Sequence, residues 1–245
     1  MTKRRVSKPV VDLLRVPDGP RDRQLLLGDT VHVAENNDGW SRIVAEKDGY
    51  AGWLETDHLS EDMPATHWIN APATHAYVAP EIKSRDLVSL SFGSKIHATA
   101  ETDRFVQTEL GFVPKVHTAA ITEKPHDPVA VAELFLGTPY LWGGNSRFGI
   151  DCSGLVQAAL LACGIPCPGD SGDQEQALGA VLSAESPAQR GDLLFWKGHV
   201  AWVSGDNMIL HANASHMAVV YEPMDRATQR IQDQGDGPVT ARKRL

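Results

Sequence analysis

From about residue 10 to residue 118, short runs of alternating apolar and polar positions are broken by Gly, Asp, Asn and Pro. A period of two bounded by turn residues predicts half-buried strands. The runs QLLLG, TVHVAE, WSRIVAE and YAGWLE are followed, in the same order, by LVSLSFG, KIHATAE, RFVQTE and GFVPKV. Each set passes through a Gly turn, an alternating strand, a polar turn, a further strand and a Gly-aromatic strand. Gly28 and Gly93 are then equivalent positions of a tandem repeat. Two small all-β barrels over residues 8–62 and 63–121 are the expected arrangement, with a single β-sandwich as the alternative.

The period changes after a Pro-rich stretch around residues 122–130. PVAVAELFLG has the 3.6-residue spacing of a short helix ended by Gly137. SGLVQAALLACGI predicts a second helix, with Leu155, Ala159, Ala162 and Cys163 on neighbouring faces and Gly164 as its stop. GDLLFWK, HVAWVSG, NMILHAN and MAVVYEP then read as strands of an antiparallel sheet. Helices followed by strands make an α+β domain over residues 126–245, so the expected fold class is multidomain, two all-β barrels and an α+β domain.

Composition narrows the function classes. The 245 residues, 42% hydrophobic and 22% charged, suffice for several packed cores without staples. A net charge of −8 argues against a general phosphate-backbone binder, and the basic triplet Lys3-Arg4-Arg5 is too small to reverse that. No nucleic-acid partner is expected. No apolar run approaches the ~20 residues of a spanning helix, and the N-terminus lacks the apolar core of a signal peptide, so no membrane partner is expected either. The three cysteines, Cys152, Cys163 and Cys167, leave one over and match no usual zinc spacing. These features predict a reducing, cytoplasmic location and no metal or organic cofactor.

Cys152 lies between Asp151 and Ser153 at the amino end of the second predicted helix. A helix amino end and a nearby imidazolium each lower a thiol's pKa, so the position suits a thiolate nucleophile. His199 opens one predicted strand and His211 ends the next. In that arrangement His199 is the base and His211 orients it, with His216 a competing partner. The Cys152 N–H is a candidate oxyanion donor, and the Tyr140 hydroxyl a candidate addition. The alternative for Cys152 is a small buried residue at a helix start, a reading that suits Cys163 and Cys167.

These residues carry a resemblance. GTPYLWGGNSRFGIDCSGLVQAAL is similar to the nucleophile segment of the NlpC-type cell-wall cysteine peptidases, a papain-like family, and RGDLLFWKGHVAWV resembles that family's His segment. The resemblance covers about residues 126–225 and implies a Cys152, His199, His211 triad that hydrolyses murein stem peptides through an acyl-enzyme. The β region resembles bacterial SH3-like domains, whose typical ending is a Gly-Trp strand such as Gly52-Trp53-Leu54.

Tandem modules of that kind ahead of the catalytic domain resemble a narrower group, the γ-D-glutamyl-L-diamino-acid endopeptidases. These act on murein peptides with a free N-terminal L-alanine, and in them the first SH3-like domain walls off one end of the groove. The implied cut lies between γ-D-Glu and meso-diaminopimelate or L-Lys. PCPGDSGDQ is similar to the segment that holds the substrate's amino end, which implicates Asp170 and Ser171, although Gly169 stands where the family often has Arg. Ser153 is expected to contact the substrate backbone. A buried ammonium needs an opposing carboxylate, from Asp170 and from Glu35 of the first module, with Trp53 or Tyr50 as a pocket aromatic. The alternatives are a solvated turn carboxylate for Glu35 and a core aromatic for Trp53. Cytoplasmic recycling of murein peptides is the role this implies. A murein-binding protein, or another papain-like amidase or acyltransferase, is the alternative.

Overall fold

A computed structural model describes residues 1–183 and 185–245. The chain divides into two units, Met1–Lys124 with Asn145–Phe148, and Pro125–Gly144 with Gly149–Leu245.

In the first unit a seven-stranded antiparallel sheet has the order Arg21–Leu26, Val10–Leu14, Ala51–Glu55, Trp40–Ala45, Thr30–Asn37, Thr2–Val6, Leu59–Glu61. The expected alternation is kept: Val31 and Val33 point inward while Thr30 and His32 do not. Val6, Leu13, Leu25, Val31, Ile43 and Leu54 pack into one apolar cluster. Residues further along form a five-stranded sheet, Asp86–Ser91, Ala73–Tyr77, Gly111–Pro114, Phe105–Thr108, Ala98–Glu101, and a three-stranded one, Lys95–Ile96, His67–Ile69, Thr118–Ala120. Their own cluster contains Ile69, Leu90, Ile96, Val106 and Val113. The expected β-rich region is present, and among the described residues no sheet is shown closing into a barrel. The run expected as one strand over Lys95–Glu101 parts at His97, its first piece pairing with His67–Ile69 and its second with Phe105–Thr108.

The same backbone hydrogen bonds nevertheless occur twice. Gly28 N–H donates to the Val6 carbonyl and Gly93 N–H to that of Ile69; Val6 N–H donates to Asp29 and Ile69 N–H to Ser94. Likewise Ser7 N–H meets His58 and Asn70 N–H meets His117. Gly28 and Gly93 both need glycine's left-handed freedom, with φ of 77° and 84°. Gly28 also sits against the Lys95 carbonyl, where a Cβ would come within 2.3 Å of the oxygen. Beside it the buried Asp29 carboxylate accepts from Lys47 Nζ at 2.7 Å, Lys95 Nζ at 3.2 Å and the Leu26 N–H at 3.1 Å. Burial opposes its ionisation, but the two lysines hold it well below the usual carboxylate range.

Asn145–Phe148, expected within the catalytic domain, belongs to this first unit. Asn145 exchanges bonds with Gln24, its Oδ1 accepting from the Gln24 N–H at 3.3 Å and its N–H reaching Gln24 Oε1 at 3.2 Å. Arg147 N–H donates to Ser91 Oγ at 2.8 Å.

The second unit is the expected α+β domain. Its six-stranded antiparallel sheet has the order Ala180–Val181, Ala241–Arg244, Leu193–Trp196, His199–Gly205, Met208–Asn213, Ala218–Pro223. Register pairs Trp196 with His199, Trp202 with Leu210 and His211 with Val220. The helix Met224–Asp233 packs Ala227 and Ile231 on Leu194, Trp196, Ala201, Val203 and Ile209. The helix Cys152–Ala162 lies on the strands His199–Gly205 and Met208–Asn213. A shorter helix, Pro128–Glu133, starts with Asp127 accepting from the Val129 and Ala130 N–H groups. Among the described residues no helix is long and apolar enough to cross a membrane.

Candidate active site

The helix bearing Cys152 is fixed at both ends by its sequence. At its start Asp151 is the N-cap: Oδ1 accepts from the Gly154 N–H at 2.6 Å and the Ser153 hydroxyl at 3.1 Å, and Oδ2 accepts from the Gly143 N–H at 2.9 Å. At its end Gly164 takes φ 77°, and the Ile165 and Gly164 N–H groups turn back to the Leu160 and Leu161 carbonyls, a Schellman closure. Cys152 is therefore the first residue of a rigid helix, 7% exposed.

Its sulfur meets the two residues that flank His199. Sγ lies 3.9 Å from the Gly198 carbonyl oxygen, and the N–H groups of Val200, Ser153 and Cys152 itself are placed to favour a thiolate. Burial and the Asp151 charge outweigh them and push the thiol up to about 12. Burial, reinforced by the His211 and Arg230 charges, lowers His199 to about 3. Burial thus works against the charged form of each group and opposes the helix amino end at the thiol. This arrangement suits general-base catalysis, in which the proton moves as the sulfur attacks.

Adjacent antiparallel strands bring the histidines together as expected. His199 Nε2 is 2.9 Å from His211 Nδ1, and the rings are 5.1 Å apart at 61°. Trp196 supports the other side of His199 at 5.6 Å between ring centroids. His216 does not compete, because its N–H and Nδ1 meet Asn213 Oδ1. Behind the fully buried His211 lie groups the sequence reading missed. Its Nε2 is 3.1 Å from Glu222 Oε2 and 2.9 Å from Asn213 Nδ2. Arg230 grips Glu222 with two bonds, Nε to Oε1 at 3.0 Å and Nη2 to Oε2 at 2.7 Å. The available signal was an acid at the end of a run of strand character, MAVVYEP, with an arginine eight residues on.

Tyr140 is half-buried and near Cys152 and Asp151. Burial raises its hydroxyl, and the Cys152 and Asp151 charges add to the shift, so it is within electrostatic reach of both. The Ser153 hydroxyl is engaged by Asp151, while its carbonyl accepts from Gln174 Nε2 at 3.0 Å. The same Gln174 nitrogen meets the Pro168 carbonyl at 3.0 Å, tying the PCPGDSGDQ segment to the start of the Cys152 helix. Asp170 is exposed and precedes the helix Ser171–Ala177 as its N-cap residue, and Ser171 is half-buried. Glu35 and Trp53 lie in the first unit, Glu35 exposed on Thr30–Asn37 and Trp53 half-buried on Ala51–Glu55, outside that unit's apolar cluster. Cys163 is half-buried; Cys167 is buried, with its sulfur against the Pro168 carbonyl at 3.4 Å. Among the described residues a group able to hold a metal ion occurs at Glu55, Asp57 and His58, in the first unit.

Comparison with known proteins follows the same division. Residues 137–233 match the model of the NlpC/P60 family, and residues 13–59 match that of the bacterial dipeptidyl-peptidase Sh3 domain. The chain is 32% identical over 215 residues to the γ-D-glutamyl-L-lysine dipeptidyl-peptidase of Bacillus subtilis, covering 77% of this chain and 71% of that protein. It is 25% identical over 238 residues to the Bacillus cereus protein of the same name, covering 83% and 71%. A crystal structure of an NlpC/P60 family protein from Bacillus cereus shares the fold, with a TM-score of 0.83 at 21% identity over 99% of both chains. The cytoplasmic expectation finds no support in these relatives and does not stand. A reducing compartment had rested on cysteine usage, which is compatible with more than one location.

Proposed function

The chain belongs to the NlpC/P60 family of cysteine peptidases, with an SH3-like N-terminal region, and from that premise we propose that it cuts murein stem peptides between γ-D-Glu and the diamino acid. The observation that carries the reading is the Cys152, His199, His211 arrangement in a chain related along most of its length to γ-D-glutamyl-L-lysine dipeptidyl-peptidases. The substrate is a peptide with a free N-terminal L-Ala, followed by γ-D-Glu and then meso-diaminopimelate or L-Lys.

In this reading the Cys152 sulfur attacks the γ-carbonyl of D-Glu while His199 takes the thiol proton. The Cys152 N–H receives the developing oxyanion, with the Tyr140 hydroxyl alongside. His199 then passes its proton to the departing amine, and water hydrolyses the thioester. His211 orients His199. Asp170 and Ser171 hold the substrate ammonium, Ser153 contacts the substrate backbone, and Glu35 and Trp53 complete the pocket from the first β module. The reading takes residues 8–62 and 63–121 as two β modules and 126–245 as the catalytic domain.

The test is digestion of L-Ala-γ-D-Glu-meso-diaminopimelate, its L-Lys counterpart and the N-acetylated forms by wild type and Cys152→Ala, read by mass spectrometry. Wild type should release L-Ala-γ-D-Glu from the free-amine peptides alone, and Cys152→Ala from none. Equal cleavage of the acetylated forms would remove the amine requirement, and cleavage at another bond would overturn the assigned position.

A further inference from the structure

We propose that Glu222, held by Arg230, is a positioning residue that dictates which ring nitrogens of His211 and His199 carry protons, leaving His199 Nδ1 bare to act as the base. The proposal rests on the roles assigned above to Cys152 and His199.

The argument is one of donors and acceptors. A carboxylate gripped by two guanidinium bonds is ionised and can only accept. Its 3.1 Å contact with His211 Nε2 is therefore a hydrogen bond only when that nitrogen bears the proton. His211 is fully buried, and burial keeps the ring neutral with a single proton, so Nδ1 is then a bare acceptor. The 2.9 Å contact from His211 Nδ1 to His199 Nε2 in turn requires the proton on His199 Nε2. His199, also neutral, is left with its lone pair on Nδ1.

A second arrangement competes. Asn213 Nδ2, 2.9 Å from His211 Nε2, could donate to that nitrogen if it were bare. His211 would then carry its proton on Nδ1 and donate to His199 Nε2, moving the His199 proton to Nδ1 and abolishing the base. That arrangement sets a lone pair against the Glu222 carboxylate. Hydrogen bonds to an ionised acceptor are about twice as strong as neutral ones, so the anion prevails over the amide. The charged or titratable groups facing His211 are Glu222 from the neighbouring strand, Arg230 from the covering helix, His199 from the strand on the other side, and His216 beyond the strand's end.

The experiment is ring ¹⁵N NMR of the full chain labelled at histidine, in wild type, Glu222→Gln and Glu222→Asp, with kcat and KM on the cleavable peptide. Wild type should show His211 and His199 both protonated on Nε2. In Glu222→Gln the His211 proton should redistribute toward Nδ1, and kcat should fall roughly 10- to 10³-fold with KM within about twofold. Glu222→Asp should restore the wild-type ring signature and part of kcat. A wild-type His211 protonated on Nδ1, or a folded Glu222→Gln with unchanged rings and unchanged kcat, would overturn the proposal. If the rings behave as stated while the peptide stays uncut, the proton arrangement stands and the substrate assignment fails.

Discussion

Removing the Asp151 carboxylate tests whether the start of the Cys152 helix is held as described. Asp151→Ala deletes an N-cap, a loss of about 1 kcal/mol. It also strands the buried Gly143 N–H and the Ser153 hydroxyl, which lose acceptors at 2.9 and 3.1 Å. Each buried polar group left without a partner costs about 1–3 kcal/mol, and the relief of desolvating one carboxylate offsets part of that. The net expectation is a loss of about 3 kcal/mol, equivalent to a fall of roughly 6–12 °C in Tm. Asp151→Asn keeps an acceptor for the Gly154 N–H but presents no second one to Gly143, so its loss should be about half as large. Urea and thermal unfolding followed by circular dichroism measure both. The two variants should also share an opposite effect at the thiol. Because the Asp151 charge raises Cys152, removing it lowers the thiol and speeds alkylation by iodoacetamide at pH 8. An Asp151→Ala protein within about 0.5 kcal/mol of wild type, or an Asp151→Asn protein that alkylates more slowly, would refute this account of the helix start.

Two further outcomes follow from the structure. His199, lowered to about 3, and His211, also lowered, bind protons less readily folded than unfolded; their contribution is complete above about pH 6.5 and is lost as pH falls, by about 1 kcal/mol per histidine for each unit. Glu222, held at about 2 by His211 and Arg230, adds stability that is present above about 4.5 and lost toward about 2; the urea midpoint should therefore drop from pH 7.5 to pH 5 and further at pH 4, and a rise would refute the buried neutral histidines. Gly28→Ala and Gly39→Ala both place a side chain at positive φ, but only the first meets backbone, so Gly28→Ala should be the less stable by at least about 1 kcal/mol in urea titration.

The helix bearing Cys152 was legible because every signal for it is local: an acid ahead of the first turn, a helical period, and a glycine stop lie within fifteen residues. The two histidines were legible because each marks one end of a short, nearly continuous apolar run bounded by turn residues. What escaped depends on partners far along the chain. The strand Thr2–Val6 lay outside the expected strands, since Lys3, Arg4 and Arg5 hide its period. Arg5 is buried there because Ser60 and Glu109 satisfy it, at 3.2 and 2.7 Å. Glu222 looked like an ordinary strand-end acid until its fold neighbours His211 and Arg230 were in place. Asn145–Phe148 sits in an unbroken catalytic motif, and nothing in its own residues announces that Gln24 and Ser91 hold it.

The backbone pattern used twice in the first unit does not make its two occurrences equivalent. Where the first copy has Asp29, the second has Ser94, a buried hydroxyl without a hydrogen-bond partner among the described residues. The acid of the first copy is neutralised in part by Lys95, the residue directly after that serine, and Lys95 also supplies the carbonyl under which Gly28 is seated. Lys95 of the later copy thus helps complete the interior of the earlier one. Without the later copy Asp29 would keep Lys47 but lose Lys95, and Gly28 would lose the carbonyl it is seated under.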